Sequence, residues 1–102
     1  MSTTPAPRPV THEEIDRLVD GWHHDPHSVL GSHPFDGATT IRVLRPRAEE
    51  VVIVTEAGRV ACDHEHRGVW VAVVPGTTAP DYSVDVTYGG AVVPGDDPYR
   101  FL

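Results

Sequence analysis

A chain of 102 residues supplies one domain with one hydrophobic core, and a (β/α)₈ barrel, which takes ~250 residues, does not fit. Fifteen acidic against eight basic side chains give a formal charge of −7, which repels phosphate backbones and argues against nucleic acid as a partner. The single cysteine, Cys62, excludes an intrachain disulfide; with no signal-peptide core near the start and no run approaching ~20 apolar residues, the expectation is a cytoplasmic chain without membrane contact.

Residues 1–10 are polar and carry Pro5, Pro7 and Pro9, the composition of a flexible N-terminal tail. Thr11-His12-Glu13-Glu14 is a capping box, with Val10 and Ile15 at the two staple positions around it. Ile15, Leu18, Val19 and Trp22 follow at i, i+3, i+4 and i+7, the stripe of one helical face, and Gly21 closes the helix. A helix this short needs a surface to dock on. Asp25–Pro34 reads as a tight connector in which Pro26 fixes φ, Gly31 permits positive φ and Val29-Leu30 plug the core.

From Thr39 onward the period becomes two. Strands are predicted at Thr39–Leu44, Val51–Thr55, Arg59–His64, Val69–Val74 and Tyr82–Tyr88, and Gly89-Gly90 turns the last into Ala91-Val92-Val93 as a hairpin. The unbroken β-branched run at Val51–Thr55 is that of a strand buried on both faces or lying centrally. Cys62, within an apolar stretch, reads as a small buried thiol. Residues 11–102 are thus expected to form one all-β, antiparallel, immunoglobulin-like sandwich preceded by a short helix.

No catalytic constellation stands out. His23, His24, His27, His33, His64 and His66 do not offer three converging ligands, because Pro26 breaks the only helical pairing and a strand pair supplies two at best; neither metal nor cofactor is expected. Glycoside chemistry needs two carboxylates facing one another across a cleft, whereas Glu49, Glu50, Asp63, Glu65, Asp81, Asp96 and Asp97 are scattered over turns and strand edges. Among the aromatics, Trp22, Tyr82 and Tyr88 fall on apolar faces and are expected to be core or interlayer residues. Trp70, which alternates against Val69, Val71 and Val73, is the one candidate for an outward ring that stacks on a sugar, with packing the more ordinary role.

Asp25-Pro26-His27-Ser28-Val29-Leu30-Gly31-Ser32-His33-Pro34 resembles the opening D-P-H-x-x-L-G-x-H pattern of the N-terminal β-sandwich module of bacterial 1,4-α-glucan branching enzymes. Further similarities follow in order: Ile41–Ala48 with its V-R-x-x-x-P-x-A strand and turn, Gly68-Val69-Trp70, the Tyr82 to Tyr88 strand, and Asp97-Pro98-Tyr99-Arg100-Phe101 with its D-P-Y-x-F exit. Each motif is short, and their order and spacing from Ile15 to Leu102 carry the resemblance. The composition looks actinobacterial. The resemblance implies a parent enzyme that cuts an α-1,4 chain and rejoins it through an α-1,6 bond on a barrel absent from these residues, so no catalytic residue carries over. It implies a non-catalytic accessory module, with Asp25, Pro26, His27, Leu30, Gly31, His33, Asp97, Pro98, Tyr99 and Phe101 as structural or docking positions. The partners it implies are the enzyme's remaining domains and α-glucan, and the effect it implies is on transferred chain length. Leu102 falls where a linker to the next module would begin. A stand-alone glucan-binding module is the alternative; an adhesion-type immunoglobulin domain is disfavoured by the absence of paired cysteines.

Overall fold

The computed structural model describes residues 6–21, 26–56, 58–76 and 81–95, with His27 described in its backbone only. Helix α1 (His12–Val19) begins where expected: Thr11 is extended, and its hydroxyl accepts the Glu14 N–H at 3.1 Å. Gly21, at φ 80°, ends it. A 3₁₀ turn at Pro26–Ser28 follows, and the Pro26 carbonyl accepts the N–H groups of both Val29 and Leu30.

Eight strands form two antiparallel sheets: β1 (Gly31–Phe35), β2 (Ala38–Leu44), β3 (Glu50–Thr55), β4 (Gly58–Ala61), β5 (Asp63–His66), β6 (Val69–Pro75), β7 (Ser83–Tyr88) and β8 (Ala91–Gly95). The first sheet has the order β1-β2-β6-β5 and the second β4-β3-β7-β8. The all-β sandwich with a leading helix is therefore the observed fold. Asp36-Gly37, Arg67-Gly68 and Gly89-Gly90 each place two successive residues at positive φ, the mirror-image turn that suits the twist of a two-residue hairpin.

Two expectations change. The predicted Arg59–His64 strand divides at Cys62, where the chain leaves the second sheet for the first; the Cys62 N–H donates to Val51 O at 2.8 Å, and its buried thiol joins the inter-sheet core. Gly31–Phe35, read as the end of a connector, is a strand, paired from Gly31↔Arg42 to Phe35↔Ala38. Pro34 is tolerated because β1 is an edge.

Ile41, Val43, Trp70, Ala72 and Val74 of the first sheet meet Val51, Ile53, Val84 and Val86 of the second, with Tyr82 and Cys62 sealing the margins. The first sheet is also covered on its other face. There Ile15 packs with Val29, Leu30 and Val69, joined by Val10, Leu18, Val19 and Leu44. Residues 6–10, expected to be part of a mobile tail, lie against this face: Arg8 donates its N–H to Thr40 Oγ1 and its guanidinium to Ser28 O, both at 2.9 Å. The sandwich thus has a third layer, and β2 is buried along almost its whole length.

Candidate functional site

The third layer places ionisable groups in two clusters. Arg42, outward from the sandwich core yet only 1% exposed, lies beneath the helix and tail. Its Nε and Nη2 donate to the two oxygens of Glu65 at 2.7 and 3.0 Å, a two-pronged pair between β2 and β5, while Nη1 finds no partner among the described residues. A buried guanidinium costs several kcal/mol to desolvate, so this pair adds little net stability over apolar side chains of the same size. The second cluster fastens the helix to the β5–β6 turn. Asp16 Oδ1 meets His66 Nε2 at 2.8 Å and accepts from Arg67 Nη1 at 3.1 Å. Arg67 also donates to Asp20, and the His12 ring stacks on His66 with centroids 4.1 Å apart. The hydrogen bonds from His66 and Arg67 hold the Asp16 carboxyl below the usual carboxylate range, the direction opposite to that of a general acid.

The two central family motifs meet. Ile41–Ala48 ends in a turn whose Arg45 N–H donates to Gly68 O at 2.8 Å and whose Arg45 carbonyl accepts Trp70 Nε1 at 3.3 Å. Gly68, at φ 86°, is tightly placed: a Cβ there would be strained by the backbone and would approach Pro46 Cα to 3.0 Å, so the turn would have to give. Trp70 is 9% exposed and belongs to the inter-sheet core, with His64 against its ring at 5.1 Å. Trp70 thus takes the packing role, the more ordinary of the two considered for it, and its ring is not turned outward. Because β6 is apolar on both faces, alternation did not reveal which face the tryptophan takes.

Of the opening motif, Leu30 is buried in the helix–sheet cluster, Gly31 enters β1 at φ 90°, and His33 Nε2 lies 3.2 Å from Leu30 O. Pro26 starts the 3₁₀ turn. These four act in packing and chain direction. Asp25, the His27 side chain, Trp22, and Asp97, Pro98, Tyr99 and Phe101 lie outside the described residues.

An open cleft of about 300 Å³ is lined by Pro7, Val60, Ala61, Asp63, Val71 and Val73, among others. Its one carboxylate and lack of aromatic rings match neither two-carboxylate glycoside chemistry nor a pyranose platform. No group of three potential metal ligands occurs among the described residues. Burial, chiefly, pushes the Cys62 thiol up to about 12, which makes it a packing group and a poor nucleophile.

Sequence reasoning missed both polar clusters. Arg42 and Glu65 are charges within strands, which ordinarily face water. The helix latch had a faint signal in His12, Asp16 and Asp20, which share one face at four-residue spacing.

Fold and clusters together define a β-sandwich module clasped by its own N-terminal helix, in which the recurring motifs stitch layers together. Residues 11–99 match the family described as alpha-1,4-glucan branching enzyme GlgB, N-terminal domain, and the chain belongs to that family. It is 47% identical to the 1,4-alpha-glucan branching enzyme GlgB of Thermobifida fusca over 91 residues, 87% of this chain and 12% of that protein. It is 43% identical to GlgB 1 of Streptomyces avermitilis over 93 residues, 91% of this chain and 11% of that protein. The chain thus spans about an eighth or less of the length of these curated relatives. Among solved structures, pullulanase from Bacillus acidopullulyticus superimposes with a TM-score of 0.60 at 26% identity, over 69% of this chain and 10% of that one. Pullulanase of Anoxybacillus sp. LM18-11 complexed with maltotetraose shares the fold, with a TM-score of 0.61 at 21% identity over 78% of this chain and 13% of that one. No helix among the described residues is long and apolar enough to cross a membrane.

Proposed function

We propose that the chain is the N-terminal accessory module of a cytoplasmic 1,4-α-glucan branching enzyme. It holds neighbouring modules, and through them glucan, in place for a catalytic centre elsewhere in that enzyme, and so influences the length of chain transferred. It supplies no reacting group. The observation that carries this reading is the fate of its recurring motif residues: Leu30, Gly68 and Trp70 face the interior or a close turn, where they stabilise a scaffold. The purified chain is expected to leave the iodine absorbance of amylose unchanged. A chain that shifted the spectrum by itself would end the reading.

A second reading, a glucan-binding module, draws on the pullulanase structures solved with maltotriose and maltotetraose. Burial of Trp70 weighs against it. Calorimetric titration with maltoheptaose separates the two: no measurable heat supports the scaffold, and micromolar binding supports the glucan site.

A further inference from the structure

The four edge strands of the sandwich are not alike. β1 carries His33 and Pro34, β4 is four residues long with Arg59, and β5 carries Asp63, His64, Glu65 and His66 with a register shift in its middle. Charge, brevity, proline and irregularity are the devices that stop an edge from pairing with another chain. β8 reads Ala91-Val92-Val93-Pro94-Gly95 and is exposed throughout; it too carries a proline but has no ionisable side chain, so what it offers a partner is apolar side chains rather than a free backbone edge.

Its side chains are apolar on both faces. Val93 stands opposite Val86, whose side chain is in the inter-sheet core, so Val93 continues the core face beyond the reach of the first sheet; it is 50% exposed. Tyr88, opposite Ala91, extends the same face and is also exposed. Val92, on the other face, is 61% exposed. Three of the four large exposed hydrophobic residues among those described lie on this one hairpin, the fourth being Phe35. Apolar surface gathered in this way marks a contact.

We propose that the β7–β8 hairpin is the docking surface for the module that follows this domain in the branching enzyme chain. The proposal rests on the reading of the chain as an N-terminal module. Relatives continue for most of their length beyond the matched region, and the matched family is described as an N-terminal domain. β8 is the last described strand, so whatever follows is tethered beside it at high effective concentration. The occupant is apolar with a basic rim, because Glu49, which accepts the Gly90 N–H at 3.1 Å, and Glu50 border the hairpin. A second copy fits less well, since each copy carries a charge of −7.

Amide hydrogen exchange tests this. The 102-residue chain is compared with a full-length enzyme in which it replaces the matched region of Thermobifida fusca GlgB, branching activity serving as the control for folding. The amides of Ala91, Val92, Val93 and Gly95 are expected to exchange at least about tenfold more slowly in the fusion. Val92→Lys with Val93→Lys restores fast exchange there while leaving the thermal midpoint of the 102-residue chain unchanged. Equal rates in both proteins overturn the proposal, as does protection in the short chain alone: if independent of concentration its own residues cover β8, and if growing with concentration a second copy does. Should the fusion lack activity, unprotected amides in the eighth strand of the N-terminal sandwich of native Thermobifida fusca GlgB overturn it equally. Product chain lengths report separately on the module reading: unchanged lengths with a protected β8 would remove the influence on transfer and keep the docking surface.

Discussion

The two sheets bury their strands differently. The first is enclosed between the second sheet on one side and the helix with residues 6–10 on the other, and it encloses even a guanidinium, that of Arg42. The second faces the core with Val51, Ile53, Val84 and Val86, leaves Val52 and Val54 half-buried, spans its outer face with the Arg59–Asp85 pair at 2.9 Å, and ends in the bare edge of β8. A sheet closed on both faces is framework. One closed on a single face has surface left for a partner.

The sharpest way to break this contrast is at the enclosed polar pair. Glu65→Ala strands Arg42 under the third layer and is expected to cost about 3–5 kcal/mol in urea unfolding, whereas Arg42→Met combined with Glu65→Leu comes back to within about 1 kcal/mol of the native chain or exceeds it. Equal losses in both variants would show that the pair stabilises the fold outright.

The helix latch sharpens the comparison at lower energy and by pH. The carboxyl of Asp16 is held down in the folded chain, so its contribution is complete above its unfolded value near ~4 and is lost as pH falls through the lower folded one. Between pH 5 and pH 2 the difference in thermal midpoint between the native chain and Asp16→Asn is expected to shrink towards zero. A difference that persisted at pH 2 would remove the carboxylate from the latch.

At the open edge the smallest effect is expected. Val92→Lys alone should change unfolding free energy by no more than about 0.5 kcal/mol, because its side chain already stands in water. A large loss would mean that β8 belongs to the core.

How much of this the sequence disclosed follows the same division. Where one face of a strand is wet, alternation showed its sidedness: Tyr82, Val84 and Val86 point inward as the pattern indicates. In the doubly covered sheet both faces are apolar, so the pattern marks β6 as a strand but leaves the side taken by Trp70 open between packing and an outward ring. β1 is not legible because Gly31-Ser32-His33-Pro34-Phe35 lacks alternation and has only Phe35 as a strand-forming residue; partners hold it in place, not propensity. The break at Cys62 was hidden because a change of sheet leaves the period of two intact. The family motifs were legible as text, while their role in stitching turn to strand through Arg45, Pro46 and Gly68 needed three dimensions.

The crossing at Cys62 has one more consequence. A sole thiol, sealed at the seam between the sheets and reluctant to ionise, meets reagents in solution only when the seam parts. Its alkylation by a small electrophile therefore acts as a clock for opening of the seam between β4 and β5, readable without any introduced label.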